Sequence, residues 1–178
     1  MSKAVLISIR PMWAQKIMTG QKTVEVRKTR PKMNPPFKCY IYCTAGGPDL
    51  NIQIPQERLM RDYLETGSMK SLNCPLGNGK VIGEFTCNRV TNLFSNRRFW
   101  MDEDDVLHTC LSAAEMRKYA NGANGLYGWH ISNLKIYDTP RELREFTGLR
   151  ETKFGAEPVP ITRQPQSWRY VEEELWND

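Results

Sequence analysis

Residues 6–30 read Leu-Ile-Ser-Ile-Arg-Pro-Met-Trp-Ala-Gln-Lys-Ile-Met-Thr-Gly-Gln-Lys-Thr-Val-Glu-Val-Arg-Lys-Thr-Arg. This stretch limits the fold more than any other part of the chain. Val5 to Ile9 has the apolar, β-branched character of a strand. Arg10-Pro11 breaks it, and proline in a first turn opens a helix over Pro11 to Thr19, with Trp13 and Ile17 at i,i+4 and Gly20 just past its end. A second strand, Lys22 to Thr29, follows at once. Its side chains alternate, with Val24 and Val26 on one face and Thr23, Glu25 and Arg27 on the other. One apolar row and one mixed-charge row on the same strand predict a sheet that covers a core and lines a site.

The remaining elements are equally short. Phe37 to Thr44 is a strand rich in aromatic and β-branched residues, closed by Ala45-Gly46-Gly47-Pro48. Gln56 to Thr66 is expected to be helical with Leu59, Tyr63 and Leu64 inward, and Ser68 to Asn78 a loop. Lys80 to Val90 is a long strand after Gly77-Asn78-Gly79. Residues near 91–110, with Phe94, Phe99, Trp100 and the acids at 102–105, read as an insertion. Ser112-Ala113-Ala114-Glu115 is a capping box opening a helix that stops at Gly122. Leu126 to Tyr137 is a strand, and Thr139-Pro140-Arg141-Glu142 has the spacing of another helix start. The tail, 157–178, is punctuated by Pro158, Pro160 and Pro165. No helix pattern is long enough for repeated βαβ crossovers. The pattern predicts one α+β domain over 1–178, a small mixed β-barrel of short strands interleaved with short helices.

A chain of 178 residues can bury a core of its own. No apolar run approaches the ~18–20 residues that cross a bilayer, and the N-terminus lacks a signal-peptide pattern, so the expected compartment is the cytoplasm. Five cysteines at irregular spacing fit free thiols. Without a Cys-x-x-Cys, and with only His108 and His130 as histidines, neither a metal nor a cofactor is expected. The net charge of +5 is modest, but its distribution is uneven. Lys22, Arg27, Lys28, Arg30, Lys32 and Lys38 face a single acid, Glu25, between positions 22 and 38, which predicts a positive face that attracts phosphates.

On that face Lys22 is a flexible point charge, Arg27 a rigid fork and Glu25 an acceptor able to take a base amine. Glu25 and Arg27 can also pair with each other. Arg10 beside Trp13, and Trp168 within Gln166-Ser167-Trp168-Arg169-Tyr170, place rings next to cations, which is how unpaired bases are held. Gly-x-Ser-x-Gly, a Walker loop and His-Glu-x-x-His are absent.

Gly20-Gln21-Lys22-Thr23-Val24-Glu25-Val26-Arg27, Gly79-Lys80-Val81-Ile82-Gly83-Glu84-Phe85, Tyr127-Gly128-Trp129-His130-Ile131 and Pro165-Gln166-Ser167-Trp168 occur in that order. Together they resemble the ASCH domain, a branch of the PUA-like superfamily, in its bacterial or phage form. The resemblance spans most of the chain, with gaps at roughly 45–78 and 91–125. It implies a PUA-like pseudo-barrel with short helices covering its openings and a cleft between the first helix and the strands. It also implies an RNA- or nucleotide-binding module in which Arg10, Lys22, Thr23, Glu25, Arg27, Lys28 and Trp168 are the candidate contacts, with single-stranded nucleic acid or a nucleotide as partner.

Some relatives are enzymes. The small acetylcytidine amidohydrolases use a threonine, a lysine and a glutamate. Their lysine matches Lys22, but their threonine falls where this chain has Glu25; Glu84 lies roughly where their acid is expected. Other members resemble ribonucleases with a lysine in the same turn. The alternative to binding is therefore a hydrolase acting on RNA or a modified nucleoside, with Lys22 and Glu25 as its catalytic groups. A third reading is a protein-interaction module that uses the acidic run near 102–105.

Overall fold

The computed structural model describes residues 2–53, 60–61, 63–65, 67, 75–95, 98–99 and 103–174. In chain order the elements are β1 (Lys3–Ile9), α1 (Pro11–Met18), β2 (Val24–Arg27), β3 (Phe37–Cys43), β4 (Val81–Ser95), β5 (Arg98–Phe99), α2 (Glu103–Thr109), α3 (Ala113–Ala120), β6 (Gly125–Arg141), β7 (Thr147–Thr152), β8 (Gly155–Pro160) and β9 (Trp168–Glu172). A single 3-10 turn, Leu143–Glu145, joins β6 to β7.

All strands belong to one mixed sheet in the order β2-β6-β4-β3-β1-β9-β7-β8, with β5 returning on β4. Among the described residues only β1 and β3 run parallel, linked through α1 and β2; every other pairing there is antiparallel. The path has two ends, β2 and β8, and among the described residues no ladder joins them. Mixed α+β architecture is thus as expected, while the pairings leave the sheet open along its hydrogen-bonding path.

β1 sits deepest because both its faces are apolar. Val5, Ile7 and Ile9 pack with Ala14 and Ile17 of α1, Phe37, Ile41, Phe85 and Trp129. Ala4 and Leu6 pack on the other face with Tyr40, Tyr42, Tyr137, Phe146 and Val171. A third cluster joins Val26, Leu93 and Leu126 to Met116 and Ala120 of α3. The capping box predicted at Ser112 is present: its hydroxyl accepts from Glu115 N, and the Glu115 carboxylate accepts from Ser112 N at 2.8 Å.

Three expectations are corrected. The spacing at 139–142 does not open a helix; β6 runs through Pro140 to Arg141 because Val81 of β4 pairs with Arg141, and only the one 3-10 turn follows. β4 extends five residues past Val90, since Thr91, Asn92, Phe94 and Ser95 keep their places opposite Gly128, Tyr127, Leu126 and Gly125. Tyr63 and Leu64, expected inward, are exposed; they have no apolar neighbour among the core residues, and most of the helix expected over 56–66 lies outside the described residues.

β4 and β6 stay paired over their length only through bulges, one of them between Val81 and Gly83. There the chains approach so closely that a Cβ on Gly83 would overlap the Lys135 carbonyl oxygen and stand 3.0 Å from Ile136 Cα. Both are backbone atoms of the partner strand and cannot rotate away. Gly83→Ala is expected to cost about 1–3 kcal/mol, the usual range for overpacking, read as a lower urea midpoint with an unchanged slope.

Candidate functional site

A cleft of about 560 Å³ opens between α1, β2, α3 and the segment ahead of β9. Lys22, Glu25 and Arg27 form its floor beside Ile9 and Val26. Glu25 and Arg27 of the expected mixed-charge row therefore face a concavity next to Arg10, joined by Lys22 from the preceding turn, but they are not solvated. Lys22 is 2% exposed, Glu25 6% and Arg27 7%.

Buried charges persist only when paired and hydrogen-bonded, and these are. One oxygen of Glu25 lies 2.9 Å from Arg27 and the other 3.4 Å from Lys22 Nζ. Lys22 also donates to Val24 O at 2.9 Å and to Thr109 O, at the end of α2, at 2.7 Å. Its Nζ is thus held by two backbone carbonyls and the Glu25 carboxylate. Arg27 donates to Ser8 O at 2.6 Å and to Ser167 O and Oγ at 3.4 and 3.3 Å. Its Nε is buried and without a partner among the described residues. Each Glu25 oxygen keeps one acceptor direction, since a carboxylate offers about four in all. The floor carries a net charge of +1.

Several distant segments meet to hold this floor. Gly20 takes φ 73°, the left-handed turn that ends α1 and starts the approach to β2. The motif at 165–167 is fixed on the end of β1, where Ser8 Oγ donates to Pro165 O at 2.6 Å and Ser8 N to Ser167 O at 2.9 Å. Residues 91–110 supply α2, whose last carbonyls accept from Thr23 N and Lys22. α2 is docked in turn by Arg89, which lies 3.1 Å from Asp105, and by His130, whose Nε2 stands 3.0 Å from Thr91 Oγ1 and 3.5 Å from Asp105. Arg89 also reaches His130 Nδ1 at 3.3 Å, and since a guanidinium only donates, this contact suits a neutral ring with Nδ1 as acceptor. Burial lowers the His130 pKa, with Arg89 and His108 adding to it and Asp105 opposing.

The rim is cationic and aromatic. Arg10 and Lys118 are exposed, Trp13 is half-buried with Lys22 Nζ 5.3 Å from its ring centre, and Gln164 and Gln166 close one side. Tyr119, 40% exposed, also lines the cleft. Burial raises its pKa; Arg27 and Arg10 oppose this and Glu25 adds to it. Of the acids, Glu115 is held below the usual carboxylate range by its bonds to Ser112. Sequence reading passed over Tyr119 and Lys118, because nothing local marks a tyrosine on α3 as facing residues 25 and 27.

The other candidates are placed differently. Thr23 and Lys28 are outside the lining; Lys28 is exposed beside the Tyr119 ring. Trp168 is in β9, its Nε1 donating to Thr29 Oγ1 at 2.9 Å and its ring 5.9 Å from that of Trp129. Glu84 is on β4 and accepts from Tyr137 at 2.6 Å, outside this lining. Of the acidic run, Asp105 is committed to Arg89 and His130. Among the described residues no three His, Cys, Asp or Glu gather where they could hold a metal ion.

No family model matches the sequence, and neither does any curated protein. Solved structures do match the fold. The chain is similar to the crystal structure of ASCH from Zymomonas mobilis, with a TM-score of 0.52 and 17% identity over 96% of this chain and 88% of that one. A tyrosine-to-phenylalanine variant of the same protein matches at 0.51 and 17% over 97% and 92%, and a serine-to-alanine variant at 0.52 and 16% over 96% and 89%. The chain therefore has the ASCH fold over nearly its whole length, as its ordered motifs led one to expect.

Two outcomes test the floor and its support. Glu25→Ala leaves two buried cations uncompensated and is expected to cost about 3–5 kcal/mol, measured by urea unfolding. Because the folded state depresses the His130 pKa, the unfolded chain takes up its proton first. Stability is therefore lost as pH falls from about 6.5 through the lower folded value. His130→Gln should remove that part of the loss, visible as a smaller drop in urea midpoint between pH 7.5 and the acid side of the transition.

Proposed function

We propose that this ASCH-fold chain binds single-stranded nucleic acid or a nucleotide in the cleft over Lys22, Glu25 and Arg27. The observation that carries the reading is the cleft's charge: four cations, Arg10, Lys22, Arg27 and Lys118, against two carboxylates, Glu25 and Glu115. Arg10 and Lys118, exposed at the rim, hold phosphate. A planar base lies beside Trp13 and Tyr119, with an exocyclic amine directed at the free acceptor positions of Glu25. Phosphate contacts set affinity, and the single buried carboxylate sets base preference. Lys22 and Arg27 act by holding Glu25 in place and by adding positive potential.

Binding without turnover is favoured over hydrolysis because Lys22 is tied to two backbone carbonyls and to Glu25, which leaves both groups engaged with each other and with the fold. Glu25, clamped by two cations, is not a nucleophile suited to an amide. The bend of the sheet that brings Arg27 of β2 to Ser8 and Ser167 favours a PUA-like pseudo-barrel. The free thiols Cys39, Cys43, Cys87 and Cys110 favour a reducing compartment, the cytoplasm. No helix among the described residues is long and apolar enough to cross a membrane.

The test is binding of nucleoside monophosphates and short RNA, followed by fluorescence anisotropy and competition. Arg10→Ala and Lys118→Ala should each weaken binding about fivefold at low salt, the effect of losing roughly 1 kcal/mol of charged contact. Each should flatten the logarithmic salt dependence by about 0.7. Absence of binding at low salt, or affinity indifferent to salt, removes nucleic acid as the partner.

A further inference from the structure

We infer that the cleft is one end of a longer docking surface for a single strand of nucleic acid, which leaves the cleft over Tyr119–Lys28 and runs on past Tyr127–Arg30. This rests on the reading of the cleft as a nucleotide site and extends it to a polymer. Tyr119 belongs to the cleft wall, and Lys28 Nζ lies 5.3 Å from the centre of its ring. Lys28 follows Arg27 at the end of β2, and Arg27 is paired across the sheet with Tyr127. Arg30 lies 5.9 Å from the Tyr127 ring centre. Two aromatic–cation pairs thus flank the end of β2, the nearer one sharing its tyrosine with the cleft.

The chemistry of the surface selects the occupant. Lys28, Arg30 and Lys32 are exposed, and none has an ion-pair partner among the described residues. No acidic residue occurs between Val26 and Pro48, so nothing in the segment itself neutralises them. Each ring is beside its cation; Tyr119 is exposed, and Tyr127 is half-buried with part of its ring against the core, so the open part of each ring takes a base while the cation takes the adjoining phosphate. An isolated nucleotide in the cleft uses Tyr119 but needs neither Lys28, Arg30 and Lys32 nor Tyr127. A polymer of phosphates and unpaired bases needs both kinds.

The experiment compares uridylate oligomers from a dinucleotide to about a decamer, a length within the usual range of single-strand sites. The intact protein and an Arg30→Ala/Lys32→Ala double variant are titrated by fluorescence anisotropy. Both residues are exposed, and a matching urea midpoint for the variant establishes that its fold is retained. The decamer should bind about 100-fold more tightly than the dinucleotide, as expected for two further stacked bases with their phosphates. The double variant should bind the decamer about tenfold more weakly and lower its salt slope by about 1.4, leaving the dinucleotide unaffected. Equal affinity for both lengths overturns the extended surface while the cleft reading stands. So does inorganic polyphosphate competing as well as the decamer, since no base is then being held. Failure of both oligomers to bind overturns the cleft reading and this one with it.

Discussion

The Lys22–Glu25–Arg27 triad is the constraint around which this fold is arranged. Three charges almost removed from water cost far more in desolvation than a surface ion pair returns, so such a group does not by itself add stability. What it imposes is completeness. Glu25 needs both cations, Lys22 needs the α2 carbonyl of Thr109, and Arg27 needs Ser8 and Ser167. β2 is only four residues long and pairs with β6 alone. Its position is set as much by these side-chain bonds as by its ladder.

The same bonds explain why the sheet bends as it does. β2 stands at one end of the strand path and β1 and β9 are well along it, yet Arg27 touches the end of β1 and the segment before β9. The loop after β2 repeats the connection: Thr29 accepts from Trp168, and Lys32 N donates to the Tyr170 hydroxyl at 2.8 Å. Side chains of β9 thus do what a further ladder would do in a closed barrel. The space left inside that bend, between α1 and α3, is the cleft.

Much of this was legible in the sequence. The strand–helix–turn–strand opening, the aromatic strand at 37–43 and the capping box at Ser112 are local signals with local causes. So was the placement of Glu25 and Arg27 on one face, which follows from alternation; Lys22 joins them from the turn ahead of Val24, where alternation does not apply. Burial of that face was not legible, because its partners are 87 residues away at Thr109 and 140 away at Ser167. Trp168 illustrates the same limit: a tryptophan amid Gln, Ser and Arg reads as a stacking platform, but Thr29 and Trp129 decide its surroundings. The helix expected at 139–142 failed because strand pairing with Val81 outweighed a local capping pattern.

The long reach of the Arg27 bonds also fixes an order of events during synthesis. Contacts separated by so much chain close late, since loop entropy opposes them until neighbouring structure has formed. β1, α1 and β3 can be assembled while the rest of the polypeptide is still being made, but β2 must wait for β6, and Arg27 has no Ser167 to bind until that residue has left the ribosome. Until then Arg27 is held by Ser8 and Glu25 alone, and the wall at 164–166 is missing. The cleft therefore takes its final form only after residues 164–167 have joined the end of β1, so that its presence reports on the docking of that distant segment.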